Sequence, residues 1–269
     1  MNSHVRRYYR KYSDEDTPLR LFHDVINLNE YSELSWVELS SKAPTLPRGW
    51  FELSRLKISD RIEFTRDYWL SILPFHPVAH KFLHNFFSKL DDVGVFLTQT
   101  HFDAPFQSEL VYSLKDGSCF FHGYPPCSEE DIALAKHSFE GCLPEDFLLF
   151  LRIHNGFSKH LDWGMISAEE MPKKYQELRQ SLLEQNLLIT CKDKVIDPAD
   201  LIPFYESFEG ESFQCFYLDW YPSQEVGNVF YSKREHCISD YHHEDHLLEN
   251  LAFPTFLEWL IFYLEGIGD

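Results

Sequence analysis

The chain has 269 residues, 44% of them apolar and 16% aromatic, with a formal net charge of −19. That is long enough for one large domain or two modest ones with a real core. It contains no apolar run of the roughly 18 residues a membrane helix needs, and its acidity excludes anionic surfaces such as nucleic acid or acidic lipid as natural partners. The charge is uneven: residues 126–269 hold 27 acidic against 10 basic side chains, while residues 1–125 are nearly balanced. Six cysteines are scattered without a C-x-x-C pair, and the basic N-terminus lacks the apolar stretch of a signal peptide. Both point to reduced, mostly buried thiols and a cytoplasmic address.

Residues 1–20, with Arg6, Arg7, Arg10 and Lys11, read as a flexible or loosely docked tail. Residues 21–40 carry a weak helical pattern through Leu21, Phe22, Val25 and Ile26, then Leu34, Trp36 and Leu39. A Pro-rich connector follows at 43–49. Apolar residues at helical spacing predict a helix over Ile62, Phe64, Tyr68 and Trp69, with Asp60 as its cap, and a second helix after Pro77 through Phe82, Leu83, Phe86, Phe87 and Leu90, closed by Asp91, Asp92 and Gly94. The period then switches: Val93, Val95 and Leu97 alternate, and Asp116-Gly117 between two β-rich runs predicts a hairpin over 109–122. Pro125-Pro126 marks a boundary between a region 21–125, mainly helical and ending in a hairpin, and a second region, 126–269.

Ser128 with Asp131 is a helix start of capping-box type. Ile132, Ala135 and Phe139 form the buried face of that helix. Pro144, Glu145 and Asp146 suit the first turn of the next, which packs through Phe147, Leu148, Phe150, Leu151 and Ile153, and Gly156 suits a left-handed position beyond it. Trp163 to Ile166 reads as a short strand, Ser167 as the cap of a helix to about Gln185, and Leu187 to Cys191 as β-like. Strands follow at Pro203–Tyr205, Phe213–Asp219 and Asn228–Ser232. The second of these is apolar on both faces, as a covered central strand should be. Residues 254–266 form a closing helix.

The ordered set Leu143-Pro144-Glu145-Asp146-Phe147, His154-Asn155-Gly156, Trp163-Gly164-Met165-Ile166, Ile202-Pro203-Phe204, Gln214 to Asp219 and Gly227 to Tyr231 resembles the SUKH superfamily, the domain of a yeast cell-wall regulator and of many bacterial immunity proteins. Two departures stand out: Phe157 replaces a second glycine often seen after Asn-Gly, and Lys173–Ala199 is long. The resemblance implies an α+β fold with a central, mostly antiparallel sheet and flanking helices. It also implies a job in binding proteins, such as occluding the active site of a toxin.

No G-x-S-x-G, P-loop or G-x-G-x-x-G is present. The histidines at 76, 80 and 84 read as partly exposed helix-face residues. A Cys215–His236 dyad would need an activated thiol. The stretch from His236 to His246 gathers ligand types, with Cys237, His242, His243 and His246 as the candidates should it hold a metal. Its spacing is not H-E-x-x-H, and the stretch reads as a polar loop, so no cofactor is expected. A basic protein partner is the expectation, met by an acidic and aromatic surface: Glu206, Glu209, Glu211, Trp220, Tyr221 and Glu225, with Asp240, Glu244 and Asp245 nearby. The alternatives are a regulatory scaffold with several partners, or a metal protein or hydrolase using the 236–246 loop.

Overall fold

In the computed structural model the residues described are all except positions 2, 15–16, 18–19, 32, 161, 185–186, 209, 221–225, 242–250 and 266–269. The chain divides into two compact units: one comprises Met1–Ser71 with His80–Pro125, the other Ile72–Ala79 with Pro126–Asp269. The fold is α+β with mainly antiparallel strand pairing, and the N-terminal region is largely helical.

The first unit opens not with a loose tail but with helix α1 (Ser3–Ser13). Its Val5, Tyr8, Tyr9 and Tyr12 recur at helical spacing and bury against Phe96, Val111 and Phe120. The basic residues that suggested a tail occupy the opposite, exposed face. Strand β1 (Asp24–Asn27) replaces the helix expected over the start of 21–40; it is four residues long, too short for its alternation to show. Helices α2 (Trp36–Lys42), α3 (Arg48–Leu53), α4 (Ile58–Ile72) and α5 (Pro77–Ser88) follow. Asp60 lies inside the first turn of α4 rather than capping it. Strands β2 (Leu90–Gln99), β3 (Gln107–Leu114) and β4 (Phe120–Gly123) complete the set, and β1 to β4 pair in sequence order, each antiparallel to the next. The Asp-Gly hairpin forms as read, with Gly117 at φ 71.

Asp91 and Asp92, expected to close α5, belong to β2 instead. Asp92 is buried and accepts from Arg61 Nε and Nη2 at 3.1 and 2.6 Å. Arg61 also donates to the carbonyls of Val93 and Leu56. A carboxylate at the start of a buried strand is tolerable here because a guanidinium with several donors meets it and the Met1 ammonium donates to Asp92 Oδ2 at 3.0 Å.

The second unit is built on one sheet. Its helices are α6 (Glu129–Ser138), α7 (Glu145–Leu151), α8 (Met171–Glu184) and α9 (Phe256–Glu265). Ser128 caps α6 as its sequence suggests, accepting the Asp131 amide. Pro144 stands one position ahead of α7 as its N-cap, and α7 ends at Leu151, before Asn155-Gly156; Gly156 is left-handed at φ 99. The strands are β5 (Phe157–Lys159), β6 (Gly164–Met165), β7 (Ile189–Cys191), β8 (Lys194–Ile196), β9 (Leu201–Glu206), β10 (Ser212–Tyr217), β11 (Asn228–Ser232) and β12 (Cys237–Ile238). The sheet runs β6-β9-β10-β11-β12-β7-β8, antiparallel except where β12 meets β7. The short pair β7–β8 occupies part of the long segment 173–199.

Strand β10 is covered on both faces, as its pattern predicts. Phe213, Cys215 and Tyr217 pack with Val229, Tyr231 and, from α8, Leu178 and Leu182. On the other face Phe216 stacks on Phe204 of β9 at 4.2 Å and meets Phe147 of α7 at 5.1 Å, while Phe256 of α9 closes on Phe147 and Phe204. Gln214, the polar residue of that face, donates to Asn228 Oδ1 and to the Leu251 carbonyl.

Arg61→Ala leaves the buried Asp92 carboxylate with the Met1 ammonium as its remaining cation, so chemical denaturation is expected to show a loss of about 1–3 kcal/mol. A loss no larger than that of an exposed arginine on α1 would show that the pair is not structural.

Candidate functional site

The acidic and aromatic residues proposed as a partner surface fall at two ends of β10. Glu206 closes β9 and Glu211 lies in the turn that leads into β10, whereas Trp220 follows β10 and packs, half-buried, against Tyr241 at 5.5 Å. Asp240 lies at that second end. The six residues of β10 separate the two groups by roughly 17–20 Å of extended chain. Glu206 is buried and ion-paired to Lys174 Nζ at 2.5 Å, and Asp240 pairs with Lys192. Only Glu211 stands exposed among the four that are described. Glu209, Tyr221, Glu225, Glu244 and Asp245 lie outside the described residues.

A tighter constellation forms where β6 meets β9. The register Gly164↔Glu206 places Trp163 opposite the turn that carries Phe208. Both aromatics are more than half exposed, at 60% and 58%. Asp162 lies between their segments: its Oδ2 accepts from Tyr205 Oη at 2.6 Å and Tyr263 Oη at 3.0 Å, and its carboxylate is further favoured by the backbone N–H groups of Trp163 and Phe208. Tyr263 in turn accepts the Lys159 amide at 2.8 Å, and its ring stacks on Trp259. Lys174 sits 5.4 Å above the Trp163 ring while pairing with Glu206. Burial holds the Asp162 carboxyl above the usual carboxylate range, although all these donors pull it down. Gly164 has φ 79, and a Cβ there would come within 2.7 Å of the Ser158 backbone, so only glycine lets β6 approach.

Sequence reading placed Trp163 in a strand but did not single out Asp162, Trp163 or Phe208. The available signal was an exposed-type Trp beside Asp at the start of a two-residue strand, which is indistinguishable from a core Trp until β9 is in register.

The chemistry candidates resolve differently. Cys215 is fully buried and burial pushes its thiol up, the opposite of an activated nucleophile. Cys237 Sγ donates to Glu235 at 3.5 Å, and burial raises it as well. His242, His243 and His246 lie outside the described residues. His76 and His84 are exposed and His80 is half-buried; among the described residues these histidines join no set of three ligands within reach of one ion. The one such set is Cys127, Asp131 and Glu169, with ligand atoms within 4.8 Å of one another. Its carboxylates already have work: Asp131 accepts the Ser128 hydroxyl at 2.6 Å, and both Glu169 oxygens accept from Asn155 Nδ2 at 2.9 and 2.8 Å. Burial, then Glu169 and Asp131, push the Cys127 thiol up to about 12, so it stays protonated.

These features define an α+β domain on one largely antiparallel sheet, with helices on its faces and exposed aromatics at one edge. The chain belongs to the SMI1 / KNR4 family (SUKH-1), whose sequence profile matches residues 126–261. No curated protein matches the chain. Among the described residues no helix is long and apolar enough to cross a membrane.

Because the folded state holds the Asp162 proton to higher pH than the unfolded chain does, the contribution of this group to stability falls as pH rises through that window. Asp162→Asn removes the titration, so its melting temperature relative to wild type should rise as pH rises above the ordinary carboxylate value of about 3.9. A constant offset would show that Asp162 does not titrate there. Thiol labelling of the folded protein at mild alkaline pH should spare Cys127 and Cys215 until denaturant is added. Prompt labelling of either would contradict its burial.

Proposed function

We propose that residues 126–269 form a non-enzymatic protein-binding domain acting in the cytoplasm, an immunity-type inhibitor that covers a basic toxin or effector. The observation that carries this reading is that two large exposed aromatics, Trp163 and Phe208, stand on segments whose backbone amides both face the Asp162 carboxylate. Large exposed aromatics are the side chains a tight interface most often uses as anchors. Glu211 is exposed on the same turn, and the strong acidity of this half of the chain would steer a basic partner toward it. Membership of a family of interaction domains supports the same reading.

A second reading, a regulatory scaffold with several partners, is favoured by α1 of the first unit. Its exposed face carries Arg7, Arg10 and Lys11, a surface of opposite sign from the acidic half. Such a face suits a different class of partner.

The test is capture from lysate of the protein's own source with stepped salt elution, run beside a Trp163→Ala/Phe208→Ala variant. A basic protein retained by wild type and lost by the variant is expected. Titration with that protein, purified, should then show each single alanine weakening binding by about 2 kcal/mol, roughly thirtyfold. Equal retention by both would remove these aromatics from the interface.

A further inference from the structure

The second unit also holds a cavity of about 490 Å³ at the point where α7 and α9 begin. Its floor is apolar, made by Leu143, Leu149 and Leu257, and Phe75 stands exposed at its mouth. Its polar lining is Glu145, Asp146 and Glu258 with Thr255 and one imidazole, His76, and among the described residues no lysine or arginine lines it. The volume falls within the roughly 300–1,000 Å³ of real ligand pockets, and it exceeds what a single side chain fills.

The charge decides the ligand. Two helix N-termini open here, each worth roughly half a positive charge. Three carboxylates outweigh them. Asp146 is the most committed: Oδ1 accepts the Phe147 amide at 3.0 Å and Oδ2 the Leu257 amide at 2.9 Å, which ties α9 to α7. Glu258 touches Thr255 Oγ1 at 3.3 Å and is half-buried. Glu145 is exposed. The guanidinium of Arg152, which feels Glu145, is engaged by both oxygens of Glu129, at 2.8 and 2.9 Å. An apolar floor beneath an anionic wall fits neither a free anion nor a purely apolar group.

We propose that this cavity binds an arginine side chain together with an adjacent apolar residue of a protein partner, the guanidinium meeting Glu258 and Glu145 and the apolar neighbour resting on Leu149 and Leu257. The planar fork of arginine matches carboxylates in a way an ammonium does not. This inference deepens the protein-binding reading and names what such a partner offers at a place distinct from Trp163 and Phe208.

The experiment uses the full chain and three capped peptides, alike except at the central position, Leu-Arg-Leu, Leu-Lys-Leu and Leu-citrulline-Leu, followed by calorimetry and amide chemical shifts. The arginine peptide should bind and shift the amides of Leu143, Leu149, Thr255 and Leu257. The citrulline peptide, isosteric and uncharged, should bind at least about tenfold more weakly, a difference of about 1.4 kcal/mol, with lysine in between. Glu258→Gln keeps a residue able to complete the cap with Thr255, so the protein should fold, lose the preference for arginine over citrulline and keep residual apolar binding. Glu145→Gln, on an exposed side chain, should lower the preference in part. Equal affinity for arginine and citrulline, shifts elsewhere, or no binding up to millimolar peptide would overturn the proposal. The Trp163→Ala/Phe208→Ala variant should bind the peptide normally. A captured partner lost by that variant alongside a silent cavity would sink this inference and leave the protein-binding reading standing; peptide binding without any captured partner would do the reverse.

Discussion

The second unit depends on one constraint, that β10 is buried on both faces. A strand in that position cannot use alternation to mark inside from outside, so both sets of side chains must find partners. One set does so with the strands beside it and α8, the other with the aromatic packing of Phe204, Phe216, Phe147 and Phe256. The buried polar residue of the second set, Gln214, is admitted because Asn228 and a backbone carbonyl accept both of its protons. The same aromatic layer fixes where α7 and α9 begin, and Asp146 then stitches the start of α9 to α7. The cavity at those two helix starts is thus a by-product of how the core is closed.

Asp162 plays a comparable part at the sheet margin. A carboxylate taken partly out of water is costly unless donors surround it, and here two tyrosine hydroxyls and two backbone amides do so. In return it draws together the backbone of the two separate segments that carry Trp163 and Phe208. The candidate surface is therefore a consequence of polar satisfaction below it, rather than of the acidic side chains that are most conspicuous in the sequence. Glu206 illustrates the difference: it looks like a surface charge in the run of carboxylates, yet it is buried and neutralised by Lys174.

Most of the second unit was legible from sequence because α6 starts with a serine cap, α7 follows a Pro-Glu-Asp start, and its central strands are apolar runs. The α+β class, β9 to β11, α6, α7 and the closing helix all follow from those signals and from the family motifs. What escaped was short or depended on distant partners. Strand β1 is too brief for a period to register, and it exists by pairing Ile26 with Leu97 far along the chain. Helix α1 hid its tyrosine face among arginines that look like a solvated tail. Asp91 and Asp92 read as a helix stop because nothing local announces that Arg61 will meet Asp92. The Asp162 cluster was invisible for the same reason: Tyr205 and Tyr263 lie 43 and 101 residues away in sequence.

The sheet of the second unit ends in β6, of two residues, and β8, of three, with Lys194 on the latter. Edges this brief, one of them marked by a lysine whose ammonium is engaged by Asp219, offer almost no ladder of free backbone groups for a foreign strand to extend. Growth of the sheet by edge-to-edge joining, which would lead to aggregates in a protein so rich in phenylalanine, is thereby closed off. Recognition of another molecule is left to side chains and cavities rather than to backbone hydrogen bonding.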